Sequence, residues 1–359
     1  MYKIVKKELL APNIYLMNIE APRVARSARP GQFVIVRLDE HGERVPLTIS
    51  DYDAEQGWVT IVTQTVGYST SKLCAMSEGD SLADFAGPLG CPSEFVHEEP
   101  EALRRRRILF VAGGVGTAPV YPQVKWLHEH GVGADVIVGA KTRDMLIYTD
   151  EMRAVAGNLY IATDDGSEGY KGMVTGLIRE LIDTRGKRYD ECVAIGPMVM
   201  MKFVALATRE YGLKTTVSLN ALMVDGTGMC GACRVTVGGK TFFTCVDGPE
   251  FDGHAVDFDE AMRRQGMYRT QEERNTPVVI DIGGIKFGFV AYTHSTNTVE
   301  NSCDKAVFEY GVPYLYKADI EGDIQRLRNA GAEVVIAFPH WGDEYIRQPD
   351  NNQISYARR

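Results

Sequence analysis

The feature that most constrains this 359-residue sequence is a stretch rich in cysteine and glycine between residues 225 and 245. It begins Asp225-Gly-Thr-Gly-Met-Cys230-Gly-Ala-Cys233 and reaches Cys245 after eleven more residues. Read as ligands, these four residues have the spacing D-x4-C-x2-C-x11-C. Plant-type [2Fe–2S] clusters are held by C-x4-C-x2-C…C, so the pattern predicts such a cluster with aspartate in the first ligand position.

The residues around the cysteines suit a loop that wraps a cluster. Gly226, Gly228 and Gly231 can adopt positive φ at little cost, so that backbone amides turn towards the cluster sulfides. Gly238-Gly239 predicts a two-residue hairpin turn that delivers the last cysteine. The alternatives are a zinc site, plain reduced thiols or a disulfide. Zinc usually takes a second C-x2-C pair or a histidine, and a start without a signal-peptide core does not favour a disulfide.

Composition sets outer limits on function. The length predicts two or three domains, and 45% apolar with 24% charged residues is ordinary for a globular protein. A net charge of −9 does not favour a nucleic-acid partner. The sequence has no run of 18 apolar residues and no signal-peptide core, which predicts a cytoplasmic protein without a membrane span. The scattered cysteines are interpreted as small buried apolar residues: Cys74, Cys91, Cys192 and Cys303.

The first hundred residues predict an all-β domain. Five short apolar or alternating runs are separated by turn residues: Tyr2–Val5, Ile14–Ile19, Phe33–Leu38, Leu47–Ser50 and Trp58–Thr65. Strands at this spacing are typical of a small closed barrel. Gly67-Tyr-Ser-Thr70 then opens a helix whose free amides suit a phosphate, although the same residues also serve as an ordinary helix N-cap.

From Ile108 onwards, strands alternate with helices, which predicts a parallel sheet with ligands at the strand C-terminal ends. Ile108–Ala112 is a buried strand, and Gly113-Gly-Val-Gly-Thr-Ala-Pro119 follows it directly. This segment departs from G-x-G-x-x-G, but its glycines still allow a pyrophosphate to approach a helix N-terminus. Strands are predicted at Asp135–Gly139, Leu159–Thr163 and Glu191–Ile195, and helices at Asp144–Val155, Gly172–Asp183 and Met198–Tyr211.

Residues 1–275 resemble the small, diaphorase subunit of the NAD(P)H-dependent ferredoxin:NADP oxidoreductases and sulfide dehydrogenases. The motifs stand in the order of that family: Arg44-Val-Pro-Leu-Thr-Ile, Gly67-Tyr-Ser-Thr, Gly113-Gly-Val-Gly-Thr-Ala-Pro, Gly196-Pro-Met and the cluster loop with Cys245-Val-Asp-Gly-Pro-Glu. The group belongs to the ferredoxin-reductase superfamily, beside the dihydroorotate dehydrogenase electron-transfer subunit. Asp225 favours the first branch, because the dihydroorotate branch has cysteine at that position.

The resemblance implies a multidomain fold with FAD, a [2Fe–2S] cluster and NAD(P) as cofactors. It implies an antiparallel β-barrel that binds FAD (1–100) and an α/β parallel-sheet domain that binds NAD(P) (107–220). A small loop-and-hairpin segment with a C-terminal helix (221–274) would bind the cluster, and an incomplete α/β tail (276–359) would follow.

The resemblance also assigns site residues. Pro46, Leu47 and Thr48 fall at the flavin ring, and Gly67, Ser69 and Thr70 fall at the FAD pyrophosphate. Two segments fall around the nicotinamide dinucleotide: Gly113, Gly114, Val115, Gly116, Thr117, Ala118 and Pro119, then Gly196, Pro197 and Met198. Arg44 stands one residue farther from Thr48 than the FAD-binding arginine of many superfamily members. It is therefore either a pyrophosphate contact or a surface residue.

The tail has a pattern of its own. Its predicted elements are two hairpin strands, a helix and a last strand: Val278–Ile282, Phe287–Tyr292, Ala318–Asn329 and Val334–Phe338. The last strand ends in Pro339-His-Trp-Gly-Asp-Glu-Tyr, which is similar to the HWG-x-E-Y motif of the capsule-synthesis poly-γ-glutamate family, a metallophosphatase-like fold. The aspartate and Asn-His motifs of that two-metal site are absent from the sequence, so we expect an incomplete fragment without activity.

Together these features predict an electron-transfer subunit. Hydride passes from the nicotinamide to FAD, and single electrons leave through the cluster, with no protein acid or base as catalytic residue. The expected partners are NAD(P)H, a larger flavin/[4Fe–4S] subunit in a heterodimer, and ferredoxin indirectly. Two alternatives stay open, a dihydroorotate dehydrogenase electron-transfer subunit and a non-enzymatic zinc-bearing scaffold. NAD and NADP also stay open, since Lys141 and Arg143 suit either a 2′-phosphate or solvent.

Overall fold

The chain divides into two units in its computed structural model, Met1–Gln265 and Gly266–Arg359. The structure describes residues 2–40, 42–266, 278–293 and 319–340. Within these ranges, no helix is long and apolar enough to cross a membrane.

The first unit begins with a seven-stranded antiparallel sheet of order β6-β1-β2-β5-β4-β3-β7. Its strands are β1 Tyr2–Ala11, β2 Ile14–Glu20, β3 Phe33–Arg37, β4 Val45–Asp53, β5 Trp58–Gln64, β6 Ser81–Leu82 and β7 Asp84–Leu89. The two edge strands, β6 and β7, are separated in the chain by Ala83 alone. The sheet must therefore curl until its edges approach each other, and the predicted small barrel is confirmed. Helices α1 (Pro22–Ser27) and α2 (Tyr68–Ala75) accompany it.

A parallel sheet of order β11-β10-β9-β8-β12-β13 follows. Its strands are β8 Ile108–Gly113, β9 Asp135–Ala140, β10 Asn158–Thr163, β11 Tyr170–Lys171, β12 Glu191–Ile195 and β13 Lys214–Ser218. The helices are α3 Pro100–Leu103, α4 Thr117–Glu129, α5 Thr149–Val155, α6 Val174–Arg179 and α7 Met198–Arg209. From β8 the chain adds β9, β10 and β11 on one side of the sheet. It then crosses to the other side of β8 and adds β12 and β13, so the strand order reverses between β8 and β12.

Two of the predicted helices start later than expected. The helix predicted from Asp144 begins at Thr149, because Tyr148 takes a left-handed φ of 58° that an α-helix excludes. The helix predicted from Gly172 begins at Val174, because Gly172 has a φ of 129° and follows the short strand β11. Both helix starts depend on the backbone conformation of a single residue, which the hydrophobic periodicity of the sequence does not indicate.

The cysteine segment adds a hairpin and an edge strand. β14 (Arg234–Val237) and β15 (Lys240–Phe243) pair across Gly238 and Gly239, whose φ values of 57° and 75° fit the predicted two-residue turn. β16 (Glu250–Asp252) then pairs antiparallel with β13, for example Ser218 with Glu250. The parallel sheet therefore ends in an antiparallel strand from beyond the cysteines, a pairing that no sequence pattern predicted. Helix α8 (Phe258–Gly266) closes the described part of this segment.

The second unit contains a small three-stranded sheet of order β17-β18-β19. The elements described are β17 Val278–Ile282, β18 Ile285–Thr293, α9 Ile320–Asn329 and β19 Val334–His340. The hairpin turns at Gly283-Gly284, and β19 lies parallel to β18. Ala318 and the motif residues after His340 lie outside the described residues.

Candidate functional site

The predicted flavin strand presents its residues alternately to two sides. In the β3–β4 pair, Thr48 lies opposite Phe33, Leu47 opposite Val34, and Pro46 opposite Ile35. Directly opposed residues of an antiparallel pair share a face of the sheet. Val34 and Leu47 pack into the barrel core, so Pro46 and Thr48 lie on the outer face together with Phe33 and Ile35.

That outer face supports the cysteine loop. Phe33 and Ile35 form an apolar cluster with Met223, Cys233 and Cys245. At the start of the loop, Gly226 has a φ of 75°, and a Cβ there would lie 2.4 Å from Ile35 Cδ1. Only glycine allows both this conformation and this approach. The loop therefore rests on the strand next to the one that carries Pro46 and Thr48.

The four predicted cluster ligands come together as two pairs. The Sγ atoms of Cys233 and Cys245 are 3.3 Å apart, and both side chains are buried. This distance is too long for a disulfide of about 2.05 Å and close to the roughly 3.8 Å between two sulfurs on one tetrahedral metal. In the second pair, the Asp225 carboxylate accepts a hydrogen bond of 2.8 Å from the amide of Cys230, whose side chain is exposed.

The two pairs do not converge on a single point. In the described ranges, no three side chains of His, Cys, Asp or Glu lie close enough together to hold one metal ion. A mononuclear zinc site needs four ligands around one centre, whereas a two-iron cluster takes its ligands two by two. The donor set and its arrangement thus fit a binuclear cluster.

The pKa values of Asp225 and Cys245 are shifted in opposite directions. Burial, together with the neighbouring Cys233 thiol, raises the pKa of Cys245 to about 12. A hydrogen bond from the Thr227 amide, with a second from Cys230, lowers the pKa of Asp225. The carboxylate is therefore ready to accept a metal at neutral pH, whereas Cys245 must release a proton when a metal binds.

Arg44 connects the flavin strand to the cysteine loop. Its guanidinium Nη2 donates to the backbone carbonyl of Asp225 over 3.4 Å. Its Nε is buried and has no hydrogen-bond partner among the described residues. A buried donor of this kind needs an acceptor. Arg44 is thus half-buried against the cysteine loop, and its role as a pyrophosphate contact stays a prediction.

The predicted FAD-phosphate segment opens helix α2. Thr70 Oγ1 accepts hydrogen bonds of 3.1 and 3.0 Å from the amides of Val66 and Gly67, and the Ser69 hydroxyl donates to the Glu43 carboxylate. The N-cap interpretation is thus present in the structure. Gly67 has an ordinary φ of −135°, and a Cβ there would meet no atom within 4 Å. The fold itself does not require glycine at this position, which suits a segment that a ligand approaches.

The two predicted dinucleotide segments lie side by side. They follow β8 and β12, the neighbouring strands where the order reverses, and such a point forms a ligand crevice. A Cβ at Gly116 would lie 2.3 Å from the Ile195 carbonyl oxygen, so this glycine is needed for packing. Gly114 has a φ of 55° with open space beyond it.

Not every residue of these segments faces the crevice. Thr117 and Ala118 are fully buried, Pro119 and Met198 are buried as well, and the Thr117 hydroxyl donates to the Gly114 carbonyl over 2.9 Å. These side chains hold the segment in place. The partly exposed backbone of Gly114, Val115 and Gly116, with Gly196 and the exposed Pro197, faces the solvent side.

Charged residues lie in the turns that follow β9 and β10, on the side of β8 opposite to β12. Asp165 is exposed and accepts hydrogen bonds of 2.9 and 2.6 Å from the Ser167 amide and hydroxyl, which lower its pKa. Arg143 forms an ion pair of 3.3 Å with Glu168. The arginine that the sequence offered to a 2′-phosphate is thus already paired with a carboxylate.

Three further expectations can be compared with the structure. Cys74 and Cys192 are buried, as interpreted, but Cys91 is exposed and donates to the Val246 carbonyl over 3.2 Å. The interpretation of Cys91 was wrong because its loop runs over the surface beside the cluster segment. Cys303 lies outside the described residues.

Two family models match this sequence. The iron–sulfur cluster binding domain of dihydroorotate dehydrogenase B matches residues 220–257. The bacterial capsule synthesis protein PGA_cap matches residues 255–359, in agreement with the resemblance noted for the tail.

Similar proteins cover about three quarters of the chain. A Clostridium beijerinckii protein described as an uncharacterized protein in the adh 3′ region is 62% identical over 76% of this chain and 92% of its own length. The electron transfer subunit homolog of dihydroorotate dehydrogenase B (NAD(+)) from Thermotoga maritima is 47% identical over 76% and 93%. A chain from the solved structure of an NADH-dependent reduced ferredoxin-NADP oxidoreductase is 46% identical, with a TM-score of 0.70 over 76% of this chain and 96% of that one.

Proposed function

The chain belongs to the family of dihydroorotate dehydrogenase B electron-transfer subunits and their homologues, and we propose that it is the NAD-linked subunit of a ferredoxin:NADP oxidoreductase-type complex. Held at Pro46, Thr48 and the Gly67 segment, FAD would supply the exchange between two-electron hydride chemistry with the nicotinamide and single-electron transfer to the [2Fe–2S] cluster held by Asp225, Cys230, Cys233 and Cys245. The protein binds and orients these groups and sets their surroundings. No side chain is assigned as an acid or a base.

One observation carries this proposal. The cysteine loop packs on β3, and β3 pairs with the strand that holds Pro46 and Thr48. Neighbouring strands lie about 4.8 Å apart, so a flavin held at β4 and a cluster held in the loop would be close neighbours. Electrons could then leave the flavin without crossing the barrel.

The paired ligands indicate how the cluster would be held. Cys233 and Cys245 would bind one iron, and Asp225 with Cys230 would bind the other. The carboxylate replaces a soft thiolate by a harder oxygen donor of the same formal charge, and so alters the reduction potential. The buried and the exposed pair would give the two irons unequal surroundings.

We take NAD as the dinucleotide bound at the crevice between β8 and β12. Of the two cations noted for a 2′-phosphate, Arg143 pairs with Glu168, and Lys141 is exposed. The name of the homolog from Thermotoga maritima specifies NAD(+), and that of the solved structure specifies both NADH and NADP.

The alternatives are less well supported. Proteins named as dihydroorotate dehydrogenase B electron-transfer subunits themselves are 32–35% identical, compared with 47% for the homolog from Thermotoga maritima. Asp225 also departs from the cysteine of that branch. A zinc-bearing scaffold needs a convergent ligand set, and the two separate ligand pairs do not provide one.

Exposed apolar side chains surround the cluster loop and suit a protein partner. They are Leu222, Val224, Met229 and Val246, with Met229 88% exposed. Such a patch next to an electron exit fits a larger flavin/[4Fe–4S] subunit, with ferredoxin reached through it. We place this heterodimer in the cytoplasm, where reduced thiols persist.

Cofactor analysis of the purified protein tests the proposal. We expect FAD and two irons per chain, flavin bleaching on anaerobic addition of NADH, and an electron paramagnetic resonance signal from the reduced cluster. Cys233→Ser should deplete iron while NADH-dependent flavin reduction continues. Zinc in place of iron, or a protein without flavin, would contradict the proposal.

A further inference from the structure

A carboxyl group lies where the barrel, the nucleotide domain and the cluster segment meet. Glu250 is the first residue of β16, which follows the cluster loop. Its Oε1 accepts hydrogen bonds of 2.9 Å from Ser93 Oγ and 2.9 Å from Gln123 Nε2. Ser93 follows the barrel, and Gln123 belongs to α4, the helix that the dinucleotide loop opens. None of the functions described above uses this group.

Glu250 is itself partly exposed, but both of its hydrogen bonds come from buried, neutral donors. Ser93 and Gln123 are both 0% exposed, and their donors are a hydroxyl and an amide. Gly31 closes the site from the barrel side, because a Cβ there would lie 2.5 Å from Ser93 Oγ and 3.1 Å from Glu250 Oε1. Gly31 has a φ of 88°, so glycine is needed for both reasons.

One acceptor at this site has no partner. Gln123 Oε1 is buried and makes no hydrogen bond to any residue that the structure describes. A buried acceptor left without a donor costs roughly 1–3 kcal/mol. Exchanging the oxygen and nitrogen of the Gln123 amide would not help, because an oxygen would then face the Glu250 carboxylate. A proton on Glu250 supplies the donor that the site lacks.

We propose that Glu250 is a positioning residue that binds a proton and pairs side by side with the Gln123 amide, joining the nucleotide helix to the strand behind the cluster. In this pair, Gln123 Nε2 donates to Glu250 Oε1, and the protonated Glu250 Oε2 donates to Gln123 Oε1. Loss of the proton leaves two acceptors facing each other and loosens the contact. The functional half of the proposal rests on the proposed function, since it assumes that α4 carries the dinucleotide loop.

The charges around the site favour the neutral acid. Burial raises the pKa of Glu250 to about 7, and the negative charges of Glu191 and Glu94 also raise it. The hydrogen bonds from Ser93 and Gln123 lower the pKa but do not outweigh burial. Lys214 pairs with both of these acids at 3.1 and 3.2 Å, and Arg106 pairs with Glu191 at 2.8 Å, which weakens their effect. On α4, Lys125 is paired with Asp51 of the barrel at 2.8 Å.

Because the pKa of Glu250 is higher in the folded protein than in the unfolded chain, the stability of the protein depends on pH. The folded protein holds the proton up to about pH 7, whereas the unfolded chain releases it near 4.5. Folding therefore binds a proton between these values, and stability falls as the pH rises through this window. Above the folded pKa the contribution is constant.

Infrared difference spectroscopy of the full chain tests the protonation directly. The C=O stretch of a protonated carboxylic acid should be present at pH 6, disappear with a midpoint near 7, and be missing in Glu250→Gln. Glu101→Gln, which changes an exposed glutamate, is the matched control and should keep the band. Identical spectra for the wild type and Glu250→Gln would show that Glu250 is ionised and would overturn the proposal.

Stability and kinetics test the positioning role. Glutamine at position 250 can form the same two hydrogen bonds without a titrating proton, so Glu250→Gln should match the wild type at pH 6 and exceed its stability at pH 8.5. Glu250→Ala should be less stable at both. NADH-dependent flavin reduction should slow above pH 7 in the wild type and stay flat in Glu250→Gln. Parallel pH profiles would refute the positioning role, whereas absence of flavin reduction in every variant would refute the proposed function and leave the infrared result intact.

Discussion

Gly226 lies directly against Ile35, so closely that a Cβ on the glycine would be 2.4 Å from the isoleucine Cδ1. The first residue is in the cysteine loop and the second is on a barrel strand. This contact determines how near the loop lies to Pro46, the residue opposite Ile35 on the flavin strand. We make four predictions, which concern this contact, the cluster ligand Asp225, the FAD segment at Gly67 and the second unit.

Gly226→Ala should separate the loop from the barrel. Gly239 has the same φ of 75° but nothing within 4 Å of its Cβ, so Gly239→Ala measures the cost of the backbone conformation alone, about 1 kcal/mol. Gly226→Ala should lower the free energy of unfolding by roughly a further 1–3 kcal/mol, because its Cβ would overpack against Ile35. It should also lower the iron content. Denaturant unfolding and iron analysis measure both effects. Ile35→Val removes the Cδ1 atom and should restore part of the loss; equal costs for the two glycines would contradict the contact.

Asp225 has two roles that different substitutions separate. Its carboxylate accepts hydrogen bonds from the Thr227 and Cys230 amides at 2.9 and 2.8 Å, and it is the predicted first cluster ligand. Asp225→Asn removes the charge and keeps one of the two acceptor oxygens, so it should deplete the cluster while one of the two loop hydrogen bonds remains. Asp225→Cys should retain a cluster with a shifted potential, read by electron paramagnetic resonance and redox titration. Full iron content with an unchanged potential in Asp225→Asn would show that the aspartate only shapes the loop.

Gly67→Ala should weaken FAD binding while leaving the fold intact. The φ of Gly67 is ordinary and its Cβ position is open, so a methyl group there can disturb only a bound ligand. We expect about a tenfold weaker affinity, which corresponds to about 1.4 kcal/mol. Gly133→Ala is the matched control, because a Cβ at Gly133 makes only an ordinary contact of 3.7 Å. Unchanged FAD affinity in Gly67→Ala, measured by fluorescence titration of the apoprotein, would remove this segment from the site.

A protein ending at Asn275 should keep FAD, the cluster and NADH-dependent dye reduction. The first unit, Met1–Gln265, contains every residue assigned to these groups. Cofactor content and activity of the shortened and the full chain should agree. Loss of both after shortening would show that the second unit supports the first.

Much of the fold could be predicted from local sequence patterns. Alternation and turn residues predicted five of the seven barrel strands but not β6 and β7, glycines after a buried strand predicted a dinucleotide loop, and cysteine spacing predicted a ligand set. These signals are local, since each depends on residues within one strand, turn or loop. Helix starts were less accurate where a single left-handed residue such as Tyr148 interrupts a helical pattern.

Which of these strands, turns and loops contact each other depends on the folding of the whole domain. Gly226 and Ile35, Gly116 and Ile195, and Glu250 and Gln123 are far apart in the chain, and no pattern in one segment encodes its partner in another. The structure also showed that Leu47 faces the barrel core and that Thr117 and Ala118 are buried, although the family resemblance placed all three at cofactors. Spacing along the chain specifies what a loop can bind, whereas the distance between flavin, nucleotide and cluster depends on close packing between strands, which arises only when the whole domain folds.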